Sequence, residues 1–148
     1  MPVKPENKHR YPADWPAIRR AAGERAQWKC QHPGCLACQY DVGIWLVQPI
    51  NRANWQCLAK AETYREARQS AAEASWTLYG DGPGVPRVIV IVLTCAHLDH
   101  QPENCDPANL RMFCQRHHLA HDQAHHLATA YATRRARSAT PDMFAAQP

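Results

Sequence analysis

No run of this chain is long and apolar enough to span a bilayer. The longest uninterrupted apolar stretch, Val88 to Leu93, is far shorter than the roughly 20 residues a membrane helix needs, so no membrane role is expected. The opening residues, MPVKPENKHRYPADW, lack the apolar segment of a secretory signal, and seven cysteines, an odd number, do not make a complete disulfide framework. Thiols of this kind suit a reducing cytoplasm and metal ligation better than extracellular cross-linking. Internal repeats and low-complexity segments are also missing. At 148 residues the chain is long enough for one domain with a modest core and too short for two ordinary ones.

What is present is unevenly distributed. The formal net charge is only +4, yet basic residues gather at the ends: Lys4, Lys8, Arg10, Arg19, Arg20, Arg25 and Lys29 near the start, Arg134, Arg135 and Arg137 near the finish. Such clustering suits a phosphate backbone, because neutralising phosphates releases counterions; ordinary solvated arms are the alternative. The stretch from Leu93 to Asp122, LTCAHLDHQPENCDPANLRMFCQRHHLAHD, concentrates five of the nine histidines, three of the seven cysteines and three aspartates. That density predicts a metal-dependent site.

Taken in order, residues 1–11 are polar and proline-bearing, which predicts a flexible basic arm. A helix is expected from Asp14 as N-cap, with Pro16 in its first turn. Trp15, Ile18 and Ala22 then share the core face, and Arg19, Arg20 and Glu24 face outward. In WKCQHPGCLAC, Trp28 to Cys38, Pro33-Gly34 makes a turn between Cys30 and Cys35. DVGIWLVQPI, Asp41 to Ile50, reads as a short strand ended by Pro49 and Asn51. An alanine-rich helix is expected over 55–78, through Trp76, as a lightly packed insertion within 39–86. Gly80-Asp81-Gly82-Pro83-Gly84 breaks the chain, and Pro86 leads into the β-branched run RVIVIVLT, Arg87 to Thr94, which predicts one buried strand. His97 should emerge where that strand meets solvent. Asp106-Pro107 opens a brief helical or irregular segment that holds Asn109 and leads to Cys114. A helix follows from His117, with His125 and His126 on a solvated face, and residues 139–148 are expected to be disordered.

Two spacings carry the metal chemistry. Cys114 and His117 stand as C-x-x-H, half of a tetrahedral zinc site, and the Cys30/Cys35 knuckle supplies the other half. Cys38 in place of Cys30 or Cys35, His32 in place of a cysteine, and separate buried thiols are the competing assignments. On the last helix His118 and Asp122 lie i, i+4, on one face, where they can hold a second, catalytic ion.

These residues together resemble the HNH endonucleases, the His-Me or ββα-metal finger, with the phage and prophage branch most similar through AHLDH, PEN, NLR and CQRHH. The resemblance covers Leu93 to Asp122 closely and Tyr11 to Cys35 loosely. It implies an α+β fold: a single domain over residues 12–138, built on a small ββα-metal finger stapled by zinc, with an N-terminal helix and a helical insertion. It further implies His97 as general base, Asn109 as the residue fixing the loop that orients it, and His118 as a metal ligand. Two departures stand out: Ala96 occupies a position where many members carry a metal-binding aspartate or histidine, and His117 replaces a cysteine.

The expected activity is metal-dependent hydrolysis or nicking of DNA in the cytoplasm of a bacterial or phage-infected cell. Mg²⁺, Mn²⁺, Ni²⁺ and Zn²⁺ are all open as catalytic cations, and zinc is the structural one. Arg19, Arg20, Arg116, Arg134 and Arg135 are the candidate phosphate contacts, with little dependence on base sequence. The alternative is a zinc-stabilised module for nucleic acid or a protein partner whose nuclease site has decayed, and Ala96 favours it. A purely structural zinc protein is a third, blander possibility.

Overall fold

In a computed structural model of the chain, which describes residues 5–47, 53–75 and 87–138, helix α1 runs from Trp15 to Arg25. Asp14 caps it as expected, though through its backbone carbonyl, which accepts from the amides of Ala17 and Ile18 at 2.8 and 3.1 Å; its side chain makes no capping bond. Ala22 is buried, and Trp15 and Ile18 lie against the core. Arg19 corrects the expectation of an outward cation: its guanidinium turns in and donates to the carbonyl of Leu93 at 3.2 Å. Arg25 does the same for Leu110 at 3.0 Å. The Leu110 carbonyl belongs to the core hairpin and that of Leu93 immediately precedes it, so α1 is held to this part of the core by charge-assisted bonds as well as by apolar contact.

The architecture is mixed α+β, with two small antiparallel sheets. Strands β1 (Asp41–Val47), β2 (Ala53–Lys60) and β3 (Ile89–Val90) form one sheet in the order β2-β1-β3, on which helix α2 (Tyr64–Ala74) packs through the fully buried Ala67. Strands β4 (Thr94–His97) and β5 (Leu110–Phe113) form the second, followed at once by helix α3 (Gln115–Ser138). The core lies between α1 and the β4–β5 hairpin, where Ile91, Leu93, Leu110 and Met112 are at most 1 % exposed.

Three sequence expectations change. The run 87–94 is not one strand: β3 pairs with β1, the chain crosses between the sheets at buried Ile91 and Leu93, and β4 then pairs with β5. Leu93 cannot continue a ladder because its amide goes to the Gln39 side chain, at 2.6 Å. The helix expected over 55–78 begins only at Tyr64, since residues 53–60 pair with β1 and place Trp55 opposite Trp45, with ring centroids 5.2 Å apart. Pairing and burial outweigh the helix preference of alanine and lysine here. Leu110 to Phe113, expected to be helical or irregular, is strand β5.

At the N-terminal end, where a flexible arm was expected over 1–11, Pro5–Arg10 forms a 3-10 helix. Arg10 there forms a two-pronged ion pair with Glu103, at 2.6 and 3.1 Å. The expectations for Pro49, Trp76, the glycine-rich turn 80–84, Pro86 and the tail 139–148 lie outside the described residues. Among the described residues no helix is long and apolar enough to cross a membrane.

Candidate metal centres

The knuckle that carries Cys30 and Cys35 is shaped by its own backbone. Cys30 donates to Ala37 and Cys35 to His32, at 2.9 and 3.0 Å, and Gly34 occupies a positive φ of 74°, a conformation that only glycine adopts without strain. Gln31 stitches the knuckle to β5: its amide donates to the Met112 carbonyl at 2.8 Å, and its side-chain oxygen accepts from the Met112 amide at 2.9 Å. This places the knuckle beside Cys114 and the first turn of α3.

Four ligand atoms converge there, one each from Cys30, Cys35, Cys114 and His117, all within 4.8 Å of one another. His117 Nδ1 lies 3.5 Å from the Cys30 sulfur and 3.2 Å from that of Cys114. Zinc–sulfur and zinc–nitrogen bonds at the tetrahedral angle separate such atoms by about 3.6 Å, so this donor set fits a structural zinc. The competing assignments fall away. Cys38 points its sulfur at the Leu36 carbonyl instead, and His32 stacks flat on His117 at 3.8 Å without joining the group. Hydrogen bonds from the Cys114 and Cys35 thiols pull the Cys30 thiol below its ordinary value, while the same crowding pushes Cys35 and Cys114 up. A bound cation would favour the deprotonated form of all three thiols. Trp45 of β1 stands edge-on to His117 at 5.9 Å, and Arg116 lies over the Trp45 ring, so the inserted sheet helps to cover this centre. By contrast Cys95 sits apart in the core, its thiol pushed up by burial to about 11.

His97 ends β4 and pairs with Leu110, as a strand-end residue should. Its ring is largely covered, however. Only 8 % of the residue is exposed, because Trp15 stacks on the imidazole at 5.0 Å and Tyr11 meets it edge-on at 5.9 Å. Burial pulls its pKa below the ordinary value, against the opposing carboxylates of Asp99 and Glu103. Asn109 binds the following loop from three directions: it accepts from the Asp99 amide at 3.1 Å and donates to the Asp99 carboxylate and the Asn104 carbonyl, both at 2.9 Å. With Gln101 and Asn104 also donating, the Asp99 carboxyl is held at about 2.

A second group of ligand atoms comes from His100, His121 and Asp122. His118 approaches the same carboxylate, its Nε2 3.6 Å from Asp122 Oδ2, as the i, i+4 spacing predicts, but it is not one of the three convergent groups. Burial pushes the His118 pKa down. His125 and His126 are exposed, as expected of a solvated face; the His125 ring also stacks on His100 at 4.8 Å, and His126 lies 3.9 Å from Asp122 Oδ2. In the sequence, His100 beside the base suits metal, phosphate or a local turn, whereas nothing there singles out Gln31 or His121 as site residues. Of the expected phosphate contacts, Arg20, Arg116, Arg134 and Arg135 are exposed, whereas Arg19 is committed to Leu93. Against this geometry, comparison with family models, with curated proteins and with solved structures finds no match to the chain.

Proposed function

We propose that the protein is a metal-dependent endonuclease of the HNH type that hydrolyses DNA phosphodiester bonds, built on a ββα-metal finger made of β4, β5 and α3. The observation that carries this is Asn109. Its side chain ties the loop after His97 at three points, which is the part that the resemblance to HNH nucleases assigns to that asparagine. In this mechanism neutral His97 takes the proton from an attacking water, and Asn109 keeps the His97 backbone in place. A divalent ion at Asp122, with His118 as a second ligand, would supply the positive charge that stabilises the phosphoryl oxygens. Cys30, Cys35, Cys114 and His117 would hold a zinc that ties α3 to the knuckle and leaves no open position for chemistry.

A second reading is favoured by one observation. The His97 ring is covered by Trp15 and Tyr11, and Ala96, 2 % exposed, offers no ligand. Both features suit a module that binds nucleic acid without cutting it. Plasmid nicking with Mg²⁺ or Mn²⁺, against an EDTA control, separates the two. Cleavage that disappears in His97→Gln and falls in Asn109→Ala supports the nuclease. Salt-sensitive DNA binding with no cleavage by any divalent ion supports the binding module.

A further inference from the structure

We infer that His100, His121 and Asp122 form the ligand set of a divalent transition-metal centre. This rests on the proposed function only in that both place an ion at Asp122, and it moves that ion to the side of the carboxylate away from His118. Asp122 divides its oxygens: Oδ1 faces His100 Nδ1 at 3.4 Å, while Oδ2 faces His118 at 3.6 Å and His126 at 3.9 Å.

The protonation of His121 points the same way. Its Nε2 lies 3.2 Å from the carbonyl oxygen of His97. A carbonyl only accepts, so Nε2 carries the proton and, in the neutral ring, Nδ1 keeps its lone pair free. A ring that donates one nitrogen to a backbone carbonyl and offers the other is the arrangement found behind metal-binding histidines. Phe113 bounds this ring at 5.8 Å.

His100 is held as firmly. It sits at a positive φ of 58°, its amide donates to the same His97 carbonyl at 3.1 Å, and its ring is stacked between His121 and His125 at 4.5 and 4.8 Å. A left-handed backbone costs a non-glycine residue free energy, and such residues concentrate where a side chain must be aimed. The loop that aims it is the one Asn109 ties.

Two imidazoles and one carboxylate favour Zn²⁺, Ni²⁺ or Co²⁺ over Mg²⁺, which prefers oxygen ligands. Three protein ligands leave positions open for water or a phosphate oxygen. The centre would therefore accept an anionic oxygen ligand, unlike the closed site at Cys114.

Calorimetric titration of Ni²⁺ into the full-length, zinc-loaded protein tests this without reference to activity. One further equivalent should bind beyond the zinc. His100→Asn retains a residue that tolerates the left-handed backbone, and His121→Gln retains an N–H for the His97 carbonyl; each should weaken that equivalent about tenfold or more. Unchanged zinc content and circular dichroism in both variants establish that they fold. His126→Ala, exposed and on the far oxygen, should leave the affinity unchanged. Absence of a second equivalent in the wild type overturns the inference, as does undiminished binding in both variants. If His118→Ala alone abolishes it, the ion lies on the Oδ2 side, and the inference falls while the nuclease proposal stands. If Ni²⁺ binds as expected and no plasmid is cut with any ion, the nuclease proposal falls and the metal centre stands.

Discussion

At His97, burial sets both the charge state and the outcome of substitution. The imidazole is neutral in the folded protein because burial disfavours its charged form, whereas in the unfolded chain it titrates near its ordinary 6.5. The unfolded state therefore binds more protons once the pH drops below about 6.5, so stability is lost on acidification and regained above that value. Thermal unfolding between pH 7.5 and 5 should show a steeper loss for the wild type than for His97→Gln at equal zinc content; parallel curves would mean that the ring is not neutral by burial. For the same reason His97→Ala is a poor probe of catalysis alone: it leaves a cavity beneath Trp15, and large-to-small changes in cores destabilise by roughly 2–5 kcal/mol. A base placed at an open strand end would carry no such cost, and the aromatic cover from Tyr11 and Trp15 is what makes the difference.

Among the elements, the knuckle and the first turn of α3 supply between them the four converging ligand atoms, so a bound zinc would tie one to the other. Structural zinc contributes about 10–16 kcal/mol in small zinc-binding peptides, as much as the whole stability of a typical domain. Protein purified without added metal should contain about one zinc per chain, and chelation or Cys114→Ala should lower the melting temperature sharply or unfold the chain. Elemental analysis and melting curves check this; no zinc, and no effect of chelation, would remove the centre. The inserted sheet offers a separate test. At the bulge between Val42 and Gly43, a Cβ on Gly43 would lie 2.0 Å from the Gln56 carbonyl oxygen, which is backbone and cannot swing away. Gly43→Ala should destabilise by about 1–3 kcal/mol through forced separation of β1 and β2. Because Trp45 on β1 covers His117, the variant should also lose zinc faster to a chelator; an unchanged rate would mean that the sheet does not shield the centre.

Over the whole molecule, the exposed candidate phosphate contacts are spread from α1 to the later turns of α3. From Asp122 to Arg134 along α3 is roughly 18 Å at the helical rise, so Arg134 and Arg135 would not share a phosphate with the Asp122 site and would instead follow the backbone a few nucleotides away. DNA affinity should fall steeply with salt and vary little with base sequence. Replacing Arg20, Arg116, Arg134 or Arg135 by alanine should each reduce the slope of log K against log salt by about 0.9 where that residue meets a phosphate. Arg19→Ala should leave the slope alone and lower stability, because its guanidinium is bonded to Leu93 within the fold. Affinity measured from low to moderate ionic strength decides this, and a salt-independent affinity would favour a protein partner.

Local chemistry was enough, in the sequence alone, for the four residues of the cysteine–histidine cluster, the first helix and the last. Two cysteines flanking a Pro-Gly turn, a C-x-x-H spacing and a proline just inside a helix start act within a few residues. Thr63-Tyr64-Arg65-Glu66 was equally readable, since the reciprocal bonds between Thr63 and Glu66 mark the true start of α2, yet the alanine-rich composition around it drew the expected helix too far forward. Other features depend on partners distant in the chain. Residues 53–60 became a strand because β1 offered a ladder, and RVIVIVLT divided because Gln39 and Arg19 claimed the backbone of Leu93. His97 was buried by aromatic rings from the N-terminal segment. His100 met His121 and Asp122 only because the Asn109-bound loop folds back over α3. Spacing along the chain reports which side chains share a turn or a helix face; which faces then meet is decided by burial and by where buried backbone groups find their hydrogen bonds.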